Sequence, residues 1–309
     1  IELTDVDRGQ VIWADRLDRM IQDIFDFQDE ASREIVNTIG LELRGGDARR
    51  ASFTTAASAE ALALLHRSVS HLYRGTREDT AIAREWGEKL LAVEPDNPTS
   101  LGLIALTHWR DARFCWSDSP SASLERAADY AQRVIAMGDP EGLGHTIISY
   151  VHLLKRRYDD ALATSTEARA RRPSCPMSNG LLAEVMRFYG SPDQAVLRMR
   201  DAMRLVRNFP PFMLSGLAAS LRDSGEIDAS TEAATEAMRL FPEDIDSQVT
   251  LCCDKVLAGS VAEARQIAER IRRADPSFSI SHYVASQPFR DQPTLGGILV
   301  WLFQVGLPV

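Results

Sequence analysis

Ala161-Leu162-Ala163-Thr164-Ser165-Thr166-Glu167-Ala168-Arg169-Ala170-Arg171-Arg172-Pro173 starts on a small residue, runs without a helix breaker and stops at a proline twelve positions on. The same spacing recurs in Ala83/Pro95, Ala128/Pro140, Ser230/Pro242 and Ala264/Pro276, and Ala195/Arg207 matches it with Pro210-Pro211 close behind. From Ala128 onward the small residues lie 33, 34, 35 and 34 positions apart. A period of about 34 residues is that of a stacked two-helix unit, in which a small residue lets two helices touch and proline stops the second. Arrays of this kind bind far more often than they catalyse.

Composition narrows the class further. Hydrophobic residues at 45% and charged residues at 26% are those of a folded chain and exclude a disordered one. A net charge of −9 argues against a nucleic-acid partner, because phosphate binding needs a concentrated positive field. The basic clusters Arg169-Ala170-Arg171-Arg172 and Arg270-Ile271-Arg272-Arg273 read as solvated helix ends, where cations meet the negative end of the dipole. Cys115, Cys175, Cys252 and Cys253 form no CxxC pair and read as free thiols in a reducing compartment, which with the absence of a signal peptide points to the cytoplasm. The longest apolar run, Ile298 to Phe303, is far short of the ~20 residues that span a bilayer.

Residues 1–45 do not fit the repeat. Glu2 to Val6 and Gln10 to Ala14 flank Asp7-Arg8-Gly9, a turn signal, and read as a hairpin. Ile24, Phe27, Ala31, Ile35 and Ile39 then make one helical stripe that ends near Gly40. A lone hairpin needs a sheet to join, so this segment reads as the end of an α/β domain, followed by a linker over 46–58. The repeat array occupies 59–285, with Gly190, Gly225 and Gly259 at the turns inside helix pairs. About eleven extra residues in the second unit, around Arg113-Phe114-Cys115-Trp116, form an insertion loop whose Phe114 and Trp116 are candidate contacts. Residues 286–309 form a capping helix, in which Leu295, Ile298, Leu299 and Leu302 share a stripe, while Val300, Trp301, Phe303 and Val305 are left to mediate a homodimer contact.

The fold expected is all-α, a right-handed α-solenoid superhelix of about six helix pairs, with the N-terminal hairpin-helix remnant and the C-terminal cap. The unit resembles the tetratricopeptide (TPR) repeat: Ser149, Ala183, Ala218 and Cys252 sit at the small position of the first helix, and Ala168, Ala202 and Ala237 at that of the second. It departs from the pattern at His145, Met186 and Lys255, where Trp and Tyr are usual. Beyond the repeat, Val11 to Asp18, Asp23 to Glu30, the inserted Trp109 to Phe114 and the closing Pro288-Phe289-Arg290-Asp291 with Gly306-Leu307-Pro308 resemble the TolB-like domain and TPR tail of bacterial class III adenylate/guanylate cyclases. The resemblance covers essentially the whole chain and implies a cyclase catalytic domain upstream. Winged-helix transcriptional activators share this tail and supply the alternative, a ligand-sensing module behind a DNA-binding head.

No catalytic constellation is legible. His66, His71, His108, His145, His152 and His282 make neither HExxH nor an i,i+4 pair, so no metal site is expected. There is no GxSxG elbow and no phosphate loop, and Gly142-Leu143-Gly144 reads as a helix start, so neither catalytic residues nor a cofactor are expected. If first helices line a concave face, counting back from the prolines places Trp109, Arg110, Tyr150, Glu184, Arg187, Phe188, Arg222 and Asp223 on it. Aromatics, arginines and carboxylates of that kind suit a small acidic partner or a protein or peptide segment, which could belong to the parent protein itself. Arg187 and Arg222, one unit apart, are placed to grip a carboxylate.

Overall fold

The computed structural model describes residues 2–5, 10–14, 58–139, 142–171, 173, 175–205 and 211–309. The chain divides into two compact units, Ile1–His66 and Arg67–Val309. In the first, strands β1 (Glu2–Asp5) and β2 (Gln10–Ala14) pair antiparallel as the expected hairpin, with Leu3 opposite Trp13 and Thr4 opposite Val11. Ile12 is therefore an extra residue on β2, a bulge. The Asp7-Arg8-Gly9 turn, the helix expected from Ile24 to Ile39 and the linker before Ser58 lie outside the described residues, as do Pro140, Arg207 and Pro210.

Among the described residues twelve helices follow as six pairs: α1 (Ala59–Arg74) with α2 (Arg77–Val93), α3 (Pro98–Arg113) with α4 (Pro120–Ala136), α5 (Leu143–Leu154) with α6 (Tyr158–Arg171), α7 (Pro176–Tyr189) with α8 (Pro192–Arg204), α9 (Pro211–Asp223) with α10 (Ile227–Leu240), and α11 (Ile245–Leu257) with α12 (Val261–Ala274). Then come α13 (Ile280–Ser286) and α14 (Gln292–Gln304). Local chemistry sets the ends. Asn97, Ser119, Asp244 and Asp291 each cap a helix by accepting a backbone N–H, and Pro98, Pro120, Pro176 and Pro192 open helices where no intrahelical donor is needed. Pro95, Pro173, Pro242 and Pro276 each lie just past the end of a second helix, as the repeat requires.

The pairs are joined through small residues. Ser68/Ala83, Ser149/Ala161, Ala183/Ala195, Ala218/Ser230 and Cys252/Ala264 are all fully buried. In three of them a hydroxyl donates across the interface, Ser68 Oγ to Ala83 O at 2.8 Å, Ser149 Oγ to Ala161 O at 2.7 Å and Ser230 Oγ to Ala218 O at 2.8 Å, and Cys252 Sγ approaches Ala264 O at 3.5 Å. The second pair corrects the count from Pro140: Ala127 is fully buried and Ala128 only half-buried. The exit from α4 explains the one-residue error, because Gly138 (φ 96°) and Asp139 (φ 40°) both turn left-handed before α5 and lengthen that connection. The extra residues of this unit go largely into longer helices, 16 in α3 and 17 in α4 against 12 and 14 in α5 and α6.

First helices touch one another along the row, α3 with α5, α5 with α7, α7 with α9 and α9 with α11, whereas successive second helices make at most marginal contact. The first helices therefore form the inner side of the array. Gly102 lets α3 and α5 approach, since a β-carbon there would run into Leu143. The last helix, α14, packs on α11 and α13 through Ile298, Leu302 and Val305, with Leu295 half-buried beside them. Two assignments on it change: Leu299 faces outward at 43% exposure, and Val305 is buried. On an α-helix the i, i+3, i+7, i+10 row from Leu295 continues to Val305, and Leu299 lies on its flank.

Two consequences can be measured. Ala161→Phe should overpack the contact with Ser149 and lower stability by about 1–3 kcal/mol in thermal melts. Ser230 has one hydroxyl proton but two acceptors, Ala218 O and Asp254 Oδ2 at 2.6 Å, while no donor among the described residues reaches the buried Asp254 Oδ1. Burial pushes the Asp254 carboxyl up to about 6. The fold thus favours the neutral acid, and the site favours folding below the ordinary carboxylate range and loses that advantage as pH rises through about 6. Asp254→Asn should supply the missing donor, so its advantage over the parent chain should grow from pH 4 to pH 6.5, approach about 2–3 kcal/mol and then level off.

Candidate partner-binding groove

The inner helices carry the eight residues expected there and bring them into one continuous row. Trp109 of α3 stacks on Tyr150 of α5 at 4.3 Å between ring centroids, and the Tyr150 hydroxyl donates to Glu184 Oε2 of α7 at 2.5 Å. One turn on, Arg187 Nε donates to Asp223 Oδ2 of α9 at 2.7 Å, and Arg222 reaches Asp223 Oδ1 at 2.7 Å. Arg110 is half-buried, with Nη1 on Leu72 O at 2.6 Å. Phe114 and Trp116 stack on each other at 4.8 Å in the turn after α3 and do not join the row.

Most of this row is closed to solvent. Trp109, Tyr150, Glu184, Arg187, Phe188 and Arg222 are buried. The carboxylate that Arg187 and Arg222 grip is the chain's own Asp223, which corrects their reading as a clamp waiting for a ligand. Burial raises the Glu184 carboxyl above the usual range, with Arg113 and the Tyr150 hydroxyl opposing it. For Arg222 burial opposes the charge, but Asp223 more than restores it. These groups are mutually satisfied, as buried charges must be.

Residues not singled out in the sequence complete the arrangement. Arg113 Nη2 lies 3.0 Å from Asp246 Oδ2, and Tyr283 donates to Asp246 Oδ1 at 3.0 Å, so the second and last pairs meet through charge. The segment after α13 runs without helix over the ends of the third and fourth pairs and turns tightly at Pro288, where Phe289 N donates to Gln287 O at 2.9 Å. Arg156 donates to Gln287 O at 2.8 Å and to Ala285 O at 3.2 Å, Tyr158 Oη to Phe289 O at 2.8 Å, and Arg290 N to Phe188 O at 2.9 Å. Phe289 meets Phe188 edge-on at 5.0 Å, and the Arg187 guanidinium covers it at 4.8 Å. In the sequence, Pro288 to Asp291 stand out only through a family resemblance. Arg156 carries a quiet signal: it stands 34 residues before Gly190, where every later pair has glycine.

Other sequence candidates are structural. His71 and His145 bond Asp79 and Asp139, His108 stacks on Tyr130 at 5.9 Å, and burial lowers His108 to about 4. Among the described residues no group of His, Cys, Asp and Glu could hold a metal ion, and no helix is long and apolar enough to cross a membrane.

With this geometry in view, comparison with known proteins defines the fold. The APC/C hetero-tetramer Cut9-Hcn1 matches 86% of this chain and 47% of its own at a TM-score of 0.56, with 13% identity. The array is a tetratricopeptide-type α-solenoid. TTC0263, a thermophilic TPR protein of Thermus thermophilus, is also similar, at 18% identity over 63% of this chain and 99% of its own with a TM-score of 0.49. In sequence, a Rhizobium meliloti (strain 1021) protein with the name "Putative adenylate cyclase 3" is 30% identical over 163 residues, 52% of this chain. The match spans 27% of that protein's length. No protein-family model matches the chain.

Proposed function

We propose that this chain is a non-catalytic, regulatory protein-interaction module of a cytoplasmic bacterial signalling protein, the C-terminal region of a class III adenylate cyclase. The parent assignment draws its support from the 30% identity to the Rhizobium meliloti protein and from the motifs that close the chain, Pro288 to Asp291 and Gly306 to Pro308. In this reading residues 1–45 end a TolB-like domain, 46–58 link it to the array over 59–285, and 286–309 cap the array. The observation that carries the binding role is that the array already holds a non-helical segment by its main chain, through bonds donated by the Arg156 guanidinium and the Tyr158 hydroxyl and one accepted by Phe188 O. That is the chemistry of peptide recognition, in which backbone bonds give affinity and side-chain pockets give specificity. The inner row from Trp109 to Asp223 acts as its rigid support.

The complete protein, expressed with the sequence that precedes Ile1, should convert ATP or GTP to the cyclic nucleotide, whereas the present chain should not. Turnover by this chain alone, or a complete protein without cyclase activity, overturns the assignment. A homodimer contact belongs to the same reading, because Leu299, Val300 and Phe303 form an exposed apolar face on α14 at 43, 57 and 63% exposure. Sedimentation should give a dimer for the parent chain and a monomer for Val300→Glu/Phe303→Lys; a parent chain that stays monomeric at micromolar concentration rules the contact out.

A further inference from the structure

The turn inside each helix pair is left-handed at one residue: Gly75 (φ 77°), Cys115 (53°), Arg156 (60°), Gly190 (106°), Gly225 (86°) and Gly259 (77°). Glycine adopts this conformation freely, whereas a side chain there strains the backbone. In the third pair the strained position is an arginine whose two terminal nitrogens hold the carbonyls of Gln287 and Ala285. A residue kept in a disfavoured conformation and engaged through its side chain marks a site. The neighbouring groups finish it: Tyr158 Oη and Phe188 O take up the C=O and the N–H of the peptide that follows Phe289, and Phe188 with Arg187 receive the ring. The next side chain, Arg290, lies over the Tyr189 ring at 4.7 Å and 3.9 Å from Asp159 Oδ1.

Two side chains of the held segment meet the third and fourth pairs, an aromatic ring and the arginine after it, while the buried Gln287 amide turns to Asp246 Oδ1 at 3.4 Å; the bonds from Arg156 and Tyr158 are to backbone that any sequence presents. Phe289 is buried, while Arg290 stays half-exposed and its ion pair is solvent-screened. We infer that Arg156, Tyr158, Phe188 and Tyr189 form a docking site for a non-helical protein segment with an aromatic-arginine step, and that Gln287–Arg290 occupies this site in cis, in competition with such a segment from a partner. The inference rests on the reading of the chain as a protein-interaction module, but not on a cyclase parent.

The test uses a fluorescent Ser286–Asp291 peptide and the whole chain, by anisotropy. Phe289→Ala/Arg290→Ala empties the site, so this variant should bind the peptide at least about tenfold more tightly than the unaltered chain, and a peptide with Phe289→Ala should not bind. Adding Arg156→Gly to the emptied chain should weaken binding by about tenfold or more while helicity is kept, because glycine suits the turn. Equal affinity for the emptied and unaltered chains, no binding to either, or indifference to Arg156→Gly overturns the proposal. If the emptied chain loses its helical signal, hydrogen exchange of the unaltered chain decides: the Arg290 amide should exchange faster than amides inside α7, and exchange only with global unfolding makes the segment a fixed part of the fold. Cyclic nucleotide formation by the chain would sink the module reading while leaving the peptide result standing; failed competition would sink the docking site and leave the module reading with the rest of the inner face.

Discussion

The contact between two small residues across five of the six helix pairs is the constraint on which the rest of the structure depends. Fully buried Ser149 and Ala161, or Ala218 and Ser230, leave no bulk between the helices, and the hydroxyl that donates to the opposing carbonyl fixes their register as well as their distance. A larger side chain would part the helices, and an unpaired hydroxyl would be costly in a dry interface. With the pairs held close, the first helices come to lie against one another, and the row of inner side chains follows from their stacking.

That row differs from the usual nearest-neighbour coupling of repeat proteins. Tyr150 to Glu184 and Arg187 to Asp223 tie adjacent pairs, as stacking alone would. Arg113 to Asp246, by contrast, joins the second pair to the sixth, and the segment at Gln287 to Arg290 lies across the third and fourth. Contacts that skip several units make their stabilities depend on one another, so the array gains cooperativity that a plain stack lacks.

What the sequence could reveal follows from the range of each interaction. Small residues twelve apart, turn glycines and terminal prolines act within one unit and recur along the chain, so the helix pairs were legible. The register slipped to Ala128 in the second unit because the count relied on Pro140, and the left-handed steps at Gly138 and Asp139 break that measure. Inner-face membership was legible for Trp109, Tyr150, Glu184 and Arg187, because it depends only on position within a unit. Their partners were not: nothing local ties Arg113 to Asp246 across 133 residues or Arg156 to Gln287 across 131. The one available sign was Arg156 itself, a side chain standing at a glycine position.

Charge on the inner face has a consequence for recognition. Arg187, Arg222, Glu184 and Asp223 look in sequence like a surface that selects ligands by charge, yet both arginines are bonded to the one Asp223 carboxylate, and Glu184 is held by Tyr150 and raised by burial. Groups satisfied internally cannot pair with a partner without leaving a buried charge uncompensated, which is more costly than an exposed ion pair is worth. In the proposed reading, selection at this array falls to hydrogen bonds on a partner's main chain and to aromatic edges at the pair ends, around Arg156, Tyr158 and Phe188. Such contacts are short-ranged and weakly screened, so recognition of this kind depends on the shape of a non-helical segment far more than on ionic strength.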